Sequence, residues 1–173
     1  MTAPTRDEAL KLLKEARCPA GVIDHCLMVT KIAMRIAGEL RAKGYNVDLG
    51  LVEAGAILHD IGRSVTHGVE HGAIGGQIAR RIDLNDAVAR IIERHVGAGL
   101  TAEEAEKNGI PRGAYIPETL EEKVVCYADK LTEGDHETSI EVEAEKLARE
   151  LGARHLAVRR LRRLHAEMST MLR

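Results

Sequence analysis

Phenylalanine and tryptophan do not occur among the 173 residues, and tyrosine occurs three times. A chain so poor in rings must build its core from Leu, Ile, Val, Ala and Met. It also lacks the exposed aromatic platforms on which single-stranded nucleic acid stacks its bases. Cysteine is as scarce: Cys18, Cys26 and Cys126 are odd in number, widely spaced and free of any C-x-x-C pair. That pattern excludes a disulfide framework and a thiolate zinc knot, and it fits reduced, buried thiols in a cytosolic protein. No apolar run approaches the ~18 residues that cross a bilayer, and the polar N-terminus has no signal-peptide core. A cytoplasmic location with no membrane partner is the expectation. Nor is there a large excess of either charge. Lys and Arg number 25 against 27 Asp and Glu, a net charge of -2, which disfavours nucleic acid as a partner of the whole chain. The stretch from Arg149 to Arg173 is the exception, with seven Arg against Glu150 and Glu167. Its apolar stripe (Leu161, Leu164, Met168, Leu172) makes a solvated face of a packed helix the favoured reading, with binding of RNA or of a subunit's acidic surface as the alternative.

What is present is ordinary for a folded domain: 45% hydrophobic and 30% charged residues. A chain of this length fits one domain, 1–173, burying roughly 70% of its unfolded surface. The periodicity predicts helix almost throughout. Thr5 and Glu8 form a capping box for a helix to about Arg17, broken by Cys18-Pro19. A long helix spans about 20–43 and stops at Gly44. Asp48 caps a helix over 49–60, with Gly62 as its stop and 61–70 as a loop. Helices follow at about 71–81 and 85–95. Thr101 and Glu104 box a short helix to Asn108, and 109–117 is rich in turns. The last three helices cover about 119–129, 139–151 and 154–172, with 130–138 read as a polar loop. No alternating strand, internal repeat or low-complexity tract is visible. The fold class is therefore all-α, with 139–173 a helical pair packed on the rest.

The chemistry shows as polar groups stranded on apolar faces. Asp60 ends the run Ala54-Gly55-Ala56-Ile57-Leu58-His59. There the helix dipole disfavours a carboxylate by ~0.3–1 kcal/mol, and burial without a partner costs several kcal/mol more. A divalent cation would offset both. Asp129 repeats the problem after Val124-Val125-Cys126-Tyr127-Ala128. His25 shares a face with Val29 and Ile32, His71 with Ile74 and Ile78, and His95 with Val88 and Ile91/Ile92. Singly, each has an ordinary reading as a satisfied core histidine or a cap. Together they are a His, a His-Asp pair, two more His and a late Asp. Imidazole and carboxylate suit Mn, Fe, Co, Ni or Zn, at a site assembled from several helices.

The segment Leu58-His59-Asp60-Ile61-Gly62-Arg63 resembles the HDIG form of the HD motif. His25, His59-Asp60 and Asp129 match the H…HD…D order of the HD superfamily, and Tyr127-Ala128-Asp129-Lys130-Leu131 resembles the surroundings of its last ligand. Glu70-His71-Gly72-Ala73-Ile74-Gly75 and Arg94-His95-Val96-Gly97 resemble the extra histidines of dinuclear members, such as bacterial symmetrical diadenosine tetraphosphate hydrolases and HD-GYP phosphodiesterases. No GYP signature is present, and Arg63 stands where many HDIG proteins carry Lys. The resemblance covers residues 20–135.

It implies an HD-domain helical bundle with the metal site between helices, and a metal-dependent phosphohydrolase, monoesterase or diesterase, acting on a nucleotide or related small phosphorylated substrate. One divalent ion would be held by His25, His59, Asp60 and Asp129, and a second by Asp60, His71 and His95. His59 and Asp60 would form the catalytic centre. Arg63, Lys130 and Arg94, cationic neighbours of ligands, would contact substrate phosphate. A homo-oligomer is compatible with the sequence. His67 reads as a loop histidine without a role, and His136, His155 and His165 as surface residues. Two alternatives use the same ligands: an HD-type diiron oxygenase, and a non-catalytic metal-binding sensor or partner module.

Overall fold

The computed structural model describes residues 2–173. Nine α-helices are present among them: α1 (Arg6–Glu15), α2 (Ala20–Ala42), α3 (Leu49–Leu58), α4 (His71–Arg81), α5 (Asp86–Arg94), α6 (Ala102–Lys107), α7 (Leu120–Lys130), α8 (Ile140–Leu151) and α9 (Leu156–Leu172). The expected all-α class holds. Two short elements lie in segments read from sequence as loops. A 3-10 turn over Ile61–Ser64 follows the His59-Asp60 pair. A two-residue antiparallel ladder, β1 (Thr132–Glu133) and β2 (His136–Glu137), occupies the loop after α7. Gly134 turns that hairpin at φ +60°, a conformation that glycine adopts without steric cost.

Helix starts follow local chemistry. Both capping boxes read from sequence are formed, at Thr5/Glu8 and Thr101/Glu104. A third opens α7, where Thr119 Oγ1 accepts from the Glu122 backbone and Glu122 caps in return. Each box satisfies two amide donors that a helix start leaves open.

Packing organises around α2. Its buried face (Val29, Ile32, Ala33, Ile36, Ala37, Leu40) joins Val52 and Ala56 of α3, Val124 and Val125 of α7, and Leu161, Leu164 and Met168 of α9 in one aliphatic cluster. A second cluster packs α1 (Ala9, Leu13) against α3 (Ile57, Leu58) and α5 (Val88, Ile92). Every large side chain in these clusters apart from Tyr127 is aliphatic or Met, as the missing rings require. Each buried Leu, Ile or Met stabilises the fold by about 1.5–3 kcal/mol relative to exposure. The clusters meet along α3, whose C-terminal end carries His59 and Asp60. No helix among the described residues is long and apolar enough to cross a membrane.

Candidate metal centre

Five elements deliver the polar residues to one place. His25 comes from the body of α2, His59 is the C-cap of α3 and Asp60 follows it. His71 opens α4, His95 is the C-cap of α5, and Asp129 is the penultimate residue of α7. Three of these positions are helix C-terminal ends, where the backbone dipoles favour positive charge. His59, Asp60, His71, His95 and Asp129 are all buried, while His25 is partly open.

The tautomers are fixed by the backbone. Nδ1–H of His59 donates to Ala56 O (2.7 Å), that of His71 to Gly68 O (2.7 Å) and that of His95 to Ile92 O (2.6 Å). Each is the carbonyl three residues earlier in sequence. Nδ1–H of His25 instead reaches Gly134 O at the hairpin tip, 2.8 Å away. A carbonyl only accepts, so Nδ1 must carry the proton and every neutral ring turns an Nε2 lone pair inward. This is how metal-ligating imidazoles are oriented and made more basic.

The lone pairs converge on carboxylate oxygens. His25 Nε2 and His59 Nε2 lie 3.0 and 3.5 Å from Asp129 Oδ1, and 3.9 and 3.8 Å from Asp60 Oδ2. His71 Nε2 and His95 Nε2 lie 3.0 and 3.4 Å from Asp60 Oδ1. Asp60 therefore divides: one oxygen faces the first pair of imidazoles, the other faces the second. Two overlapping ligand groups result, His25–His59–Asp129 and His59–Asp60–His95, each with its donor atoms within 4.8 Å of one another.

The same atoms are in deficit within the protein. His59 Nε2 and Asp60 Oδ1 are buried without a hydrogen-bond partner. His71 Nε2 faces His95 Nε2 at 3.0 Å, although both rings have spent their proton on Nδ1. Two lone pairs at that distance repel, and an orphaned buried acceptor costs about 1–3 kcal/mol. Cations between the imidazoles and carboxylates would satisfy each of these atoms, so the donor set fits the metals expected from the sequence.

Protonation is divided. Burial opposes charge on His59, but Cys26, Asp60 and Asp129 raise its pKa well above the ordinary histidine value. Without a cation its Nε2 therefore holds a proton that a metal would replace. Burial pushes His95 down to about 4, so its ring is neutral. For Asp60, burial alone would raise the pKa, but the positive charge of His59 beside it holds it far below the usual carboxylate range. Asp129 follows the same logic, with burial outweighed by Lys130, His25 and His59. Cys126 is pushed up to about 12 by burial and stays a thiol that donates to His95 O and Gly97 O, both at 3.6 Å.

The cations expected at phosphate divide three ways. Arg63 reaches the centre: its Nε donates to Asp60 Oδ2 at 2.7 Å. It lines a shallow opening of about 230 Å³ with Gly21, Val22, His25, Asp60 and His67. His67, read from sequence as a residue without a role, is thus at the mouth of the centre. Lys130 is nearly buried and bound to Asp129 Oδ2, which leaves Oδ1 turned to His25 and His59. Burial works against its charge, yet Asp129 raises its pKa above the ordinary lysine value. Lys130 orients Asp129 instead of lining the mouth.

Arg94 is a correction. Its guanidinium is buried and turned away, donating to Glu122 Oε2 (2.9 Å), Glu118 Oε2 (3.0 Å) and Ala114 O (3.0 Å). It ties α5 to α7. The neighbouring His95 reaches the centre because successive helical side chains point about 100° apart. His165 lies at the surface, as expected, where it stacks on Tyr127 and shares a 2.8 Å hydrogen bond with its hydroxyl. His155 caps α9, and His136 is exposed on the hairpin. The Gly134 carbonyl went unrecognised, and only the turn-forming Gly134-Asp135 pair hints at it.

The chain belongs to the HD domain family, whose pattern matches residues 22–134. It is 42% identical over 167 residues to an uncharacterized protein of Methanocaldococcus jannaschii, covering 96% of this chain and 98% of that one. It is 39% identical to a tRNA (cytidine(56)-2'-O)-methyltransferase of Picrophilus torridus over 97% of this chain, but spans only 47% of that protein. A ribonuclease Y of Cutibacterium acnes is 38% identical over 77 residues, 43% of this chain and 13% of that enzyme. Among solved structures, the HD domain of the Listeria monocytogenes phosphodiesterase PgpH, in complex with cyclic-di-AMP, superposes with a TM-score of 0.57 at 16% identity, covering 93% of this chain and 95% of that one. This last likeness concerns the fold.

Proposed function

We propose that the chain is a two-metal phosphohydrolase that cleaves a phosphate ester or anhydride of a nucleotide or an RNA. The observation that carries this reading is the division of Asp60, with Oδ2 facing His25 and His59 and Oδ1 facing His71 and His95. Two cations would share a carboxylate so placed, with His25 and His59 to hold one and His71 and His95 to hold the other. A bound pair of divalent ions supplies Lewis acidity to a phosphoryl oxygen and lowers the pKa of attacking water toward neutrality. In this it resembles the dinuclear HD hydrolases.

The protein residues do the positioning. Backbone carbonyls hold four rings in the ligating tautomer, and Lys130 fixes the rotation of Asp129. Arg63 sits between Asp60 and the opening, placed to turn one guanidinium edge to an incoming phosphate while the other stays on the carboxylate. His67 stands at the same opening, exposed, as a hydrogen-bond donor to substrate oxygen.

Relatives named as a phosphodiesterase and as ribonuclease Y support phosphodiester chemistry. The methyltransferases share less than half their length with this chain, and that shared half includes the family match. We assign phosphate chemistry to it and leave methyl transfer to the remainder of those proteins. The test is turnover of metal-loaded protein on p-nitrophenyl phosphate, bis(p-nitrophenyl) phosphate, cyclic and linear dinucleotides and short RNA. Hydrolysis of at least one, reduced ~100-fold or more by His95→Ala, is the expected result. No hydrolysis across the panel by protein carrying two metal equivalents would overturn the proposal.

A further inference from the structure

The basic C-terminal helix takes no part in the centre described above. On α9 and its C-cap, at about 100° per residue, Arg159, Arg162, Arg163 and Arg173 fall within an arc of roughly 100°. All four are exposed, and none has a carboxylate partner among the described residues. Many arginines elsewhere are matched, among them Arg6 with Glu53, Arg35 with Glu137, Arg80 with Glu93, Arg94 with Glu122 and Arg112 with Glu106. The unmatched ones outside α9 are not gathered on one helix face as these are. Only Ala166 and Thr170 lie between the four guanidinium groups, so the face carries no acid and no large apolar side chain. Like charges three and four residues apart weaken a helix.

The stripe runs into a groove. Arg163 and Arg160 line, with Lys123, a cavity of about 310 Å³ floored by Ala98, Pro117 and Leu164. Glu167 at its edge is engaged by Lys123 (2.7 Å), and Glu104 by Arg160 (2.7 Å), which leaves Arg163 uncompensated. Nε of Arg160 is a buried donor with no acceptor.

We infer that the outer face of α9 and the groove it shares with α7 form a docking surface for the phosphodiester backbone of a nucleic acid. Guanidinium forks match phosphate oxygens in a bidentate way. The flat, apolar-poor face lacks the buried anchors that protein interfaces use, so an acidic protein fits it less well. With no ring to stack a base, the surface reads backbone charge and not sequence. The chain's net charge of -2 does not oppose this, because contacts with phosphate are local. Docking on α9 requires neither metal nor turnover.

The experiment is fluorescence anisotropy of the full chain with labelled single strands of RNA and of DNA, ~20 nucleotides long and of two unrelated sequences. Four neutralised phosphates give a slope of log K against log salt near -3, or about 50-fold weaker binding between ~50 and ~200 mM. Binding should be indifferent to sequence and fall about 10-fold or more in Arg159→Glu/Arg163→Glu. It should persist in Arg41→Glu/Arg81→Glu, which changes net charge equally at two exposed arginines without ion-pair partners elsewhere. Comparing RNA with DNA identifies which backbone is preferred, and binding of either supports the surface. No binding at ~50 mM salt, equal loss in both double variants, or capture of a poly-glutamate peptide without either nucleic acid would overturn it.

Discussion

Replacing Gly62 by Ala probes how the fold places His71, a ligand of the proposed second metal. Gly62 lies in the 3-10 turn directly after the His59-Asp60 pair, and its backbone lies close against the start of α4. A Cβ added there would sit 1.9 Å from the carbonyl oxygen of His71 and 2.8 Å from the amide nitrogen of Gly75. Real Cβ contacts stay beyond 3.0 Å, so backbone must separate by at least 1.1 Å. The atom in the way belongs to His71 itself, and backbone cannot swing aside as a flexible side chain does. Metal–ligand distances hold to about 0.2 Å, several times less than this displacement. Overpacking of this kind costs about 1–3 kcal/mol, and each kcal/mol lowers Tm by roughly 2–4 °C in a domain of this size. Gly62→Ala should therefore melt a few degrees lower and bind one metal equivalent fewer, with His25, His59 and Asp129 still ligating. Calorimetry and elemental analysis of the reconstituted variant read both effects. A variant retaining both equivalents and the wild-type Tm would refute the reasoning, since α4 would have to move without carrying His71.

Three further outcomes follow from named contacts. Arg94→Ala removes the 2.9 Å partner of buried Glu122 and leaves it Arg90 at 3.7 Å, so stability should fall by about 1–3 kcal/mol while kcat/KM in folded protein is unchanged; a selective loss of turnover would return Arg94 to the substrate. Arg63→Ala should lower kcat/KM about tenfold or more with metal content intact, read by steady-state kinetics beside elemental analysis, and full activity would place phosphate elsewhere. Hydrolysis should run at the same rate under strict anaerobiosis, whereas turnover that consumes oxygen in step with product would select the diiron oxygenase.

The helices and their caps were legible because the signals are local. Thr5/Glu8 and Thr101/Glu104 announce their boxes within four residues, and the stripe of α2 repeats at helical spacing. The polar ligands stood out because each interrupts such a stripe, and the HDIG segment supplied their order. What escaped notice depends on contacts far apart in the chain. Arg94 meets Glu122 across 28 residues, and His25 meets the Gly134 carbonyl across 109. No periodicity in either segment encodes the partner. The hairpin over residues 132–137 escaped for a different reason: two residues per strand are too few to show alternation. The orientation of His59, His71 and His95 lies between these cases, since all three rings bond the carbonyl three residues back. That arrangement is local, but it depends on backbone shape at helix ends that residue types alone do not specify.

The proposed function rests on Asp60 serving two cations, and metal stoichiometry tests that most directly. Protein reconstituted with Mn or Fe, freed of excess metal and analysed by plasma mass spectrometry should hold two equivalents per chain. Asp60→Asn, which keeps the side-chain shape but removes the shared charge, should lose both, while His71→Ala should lose one. A wild-type protein that holds one equivalent, and keeps it in His71→Ala, would contradict the two-metal centre.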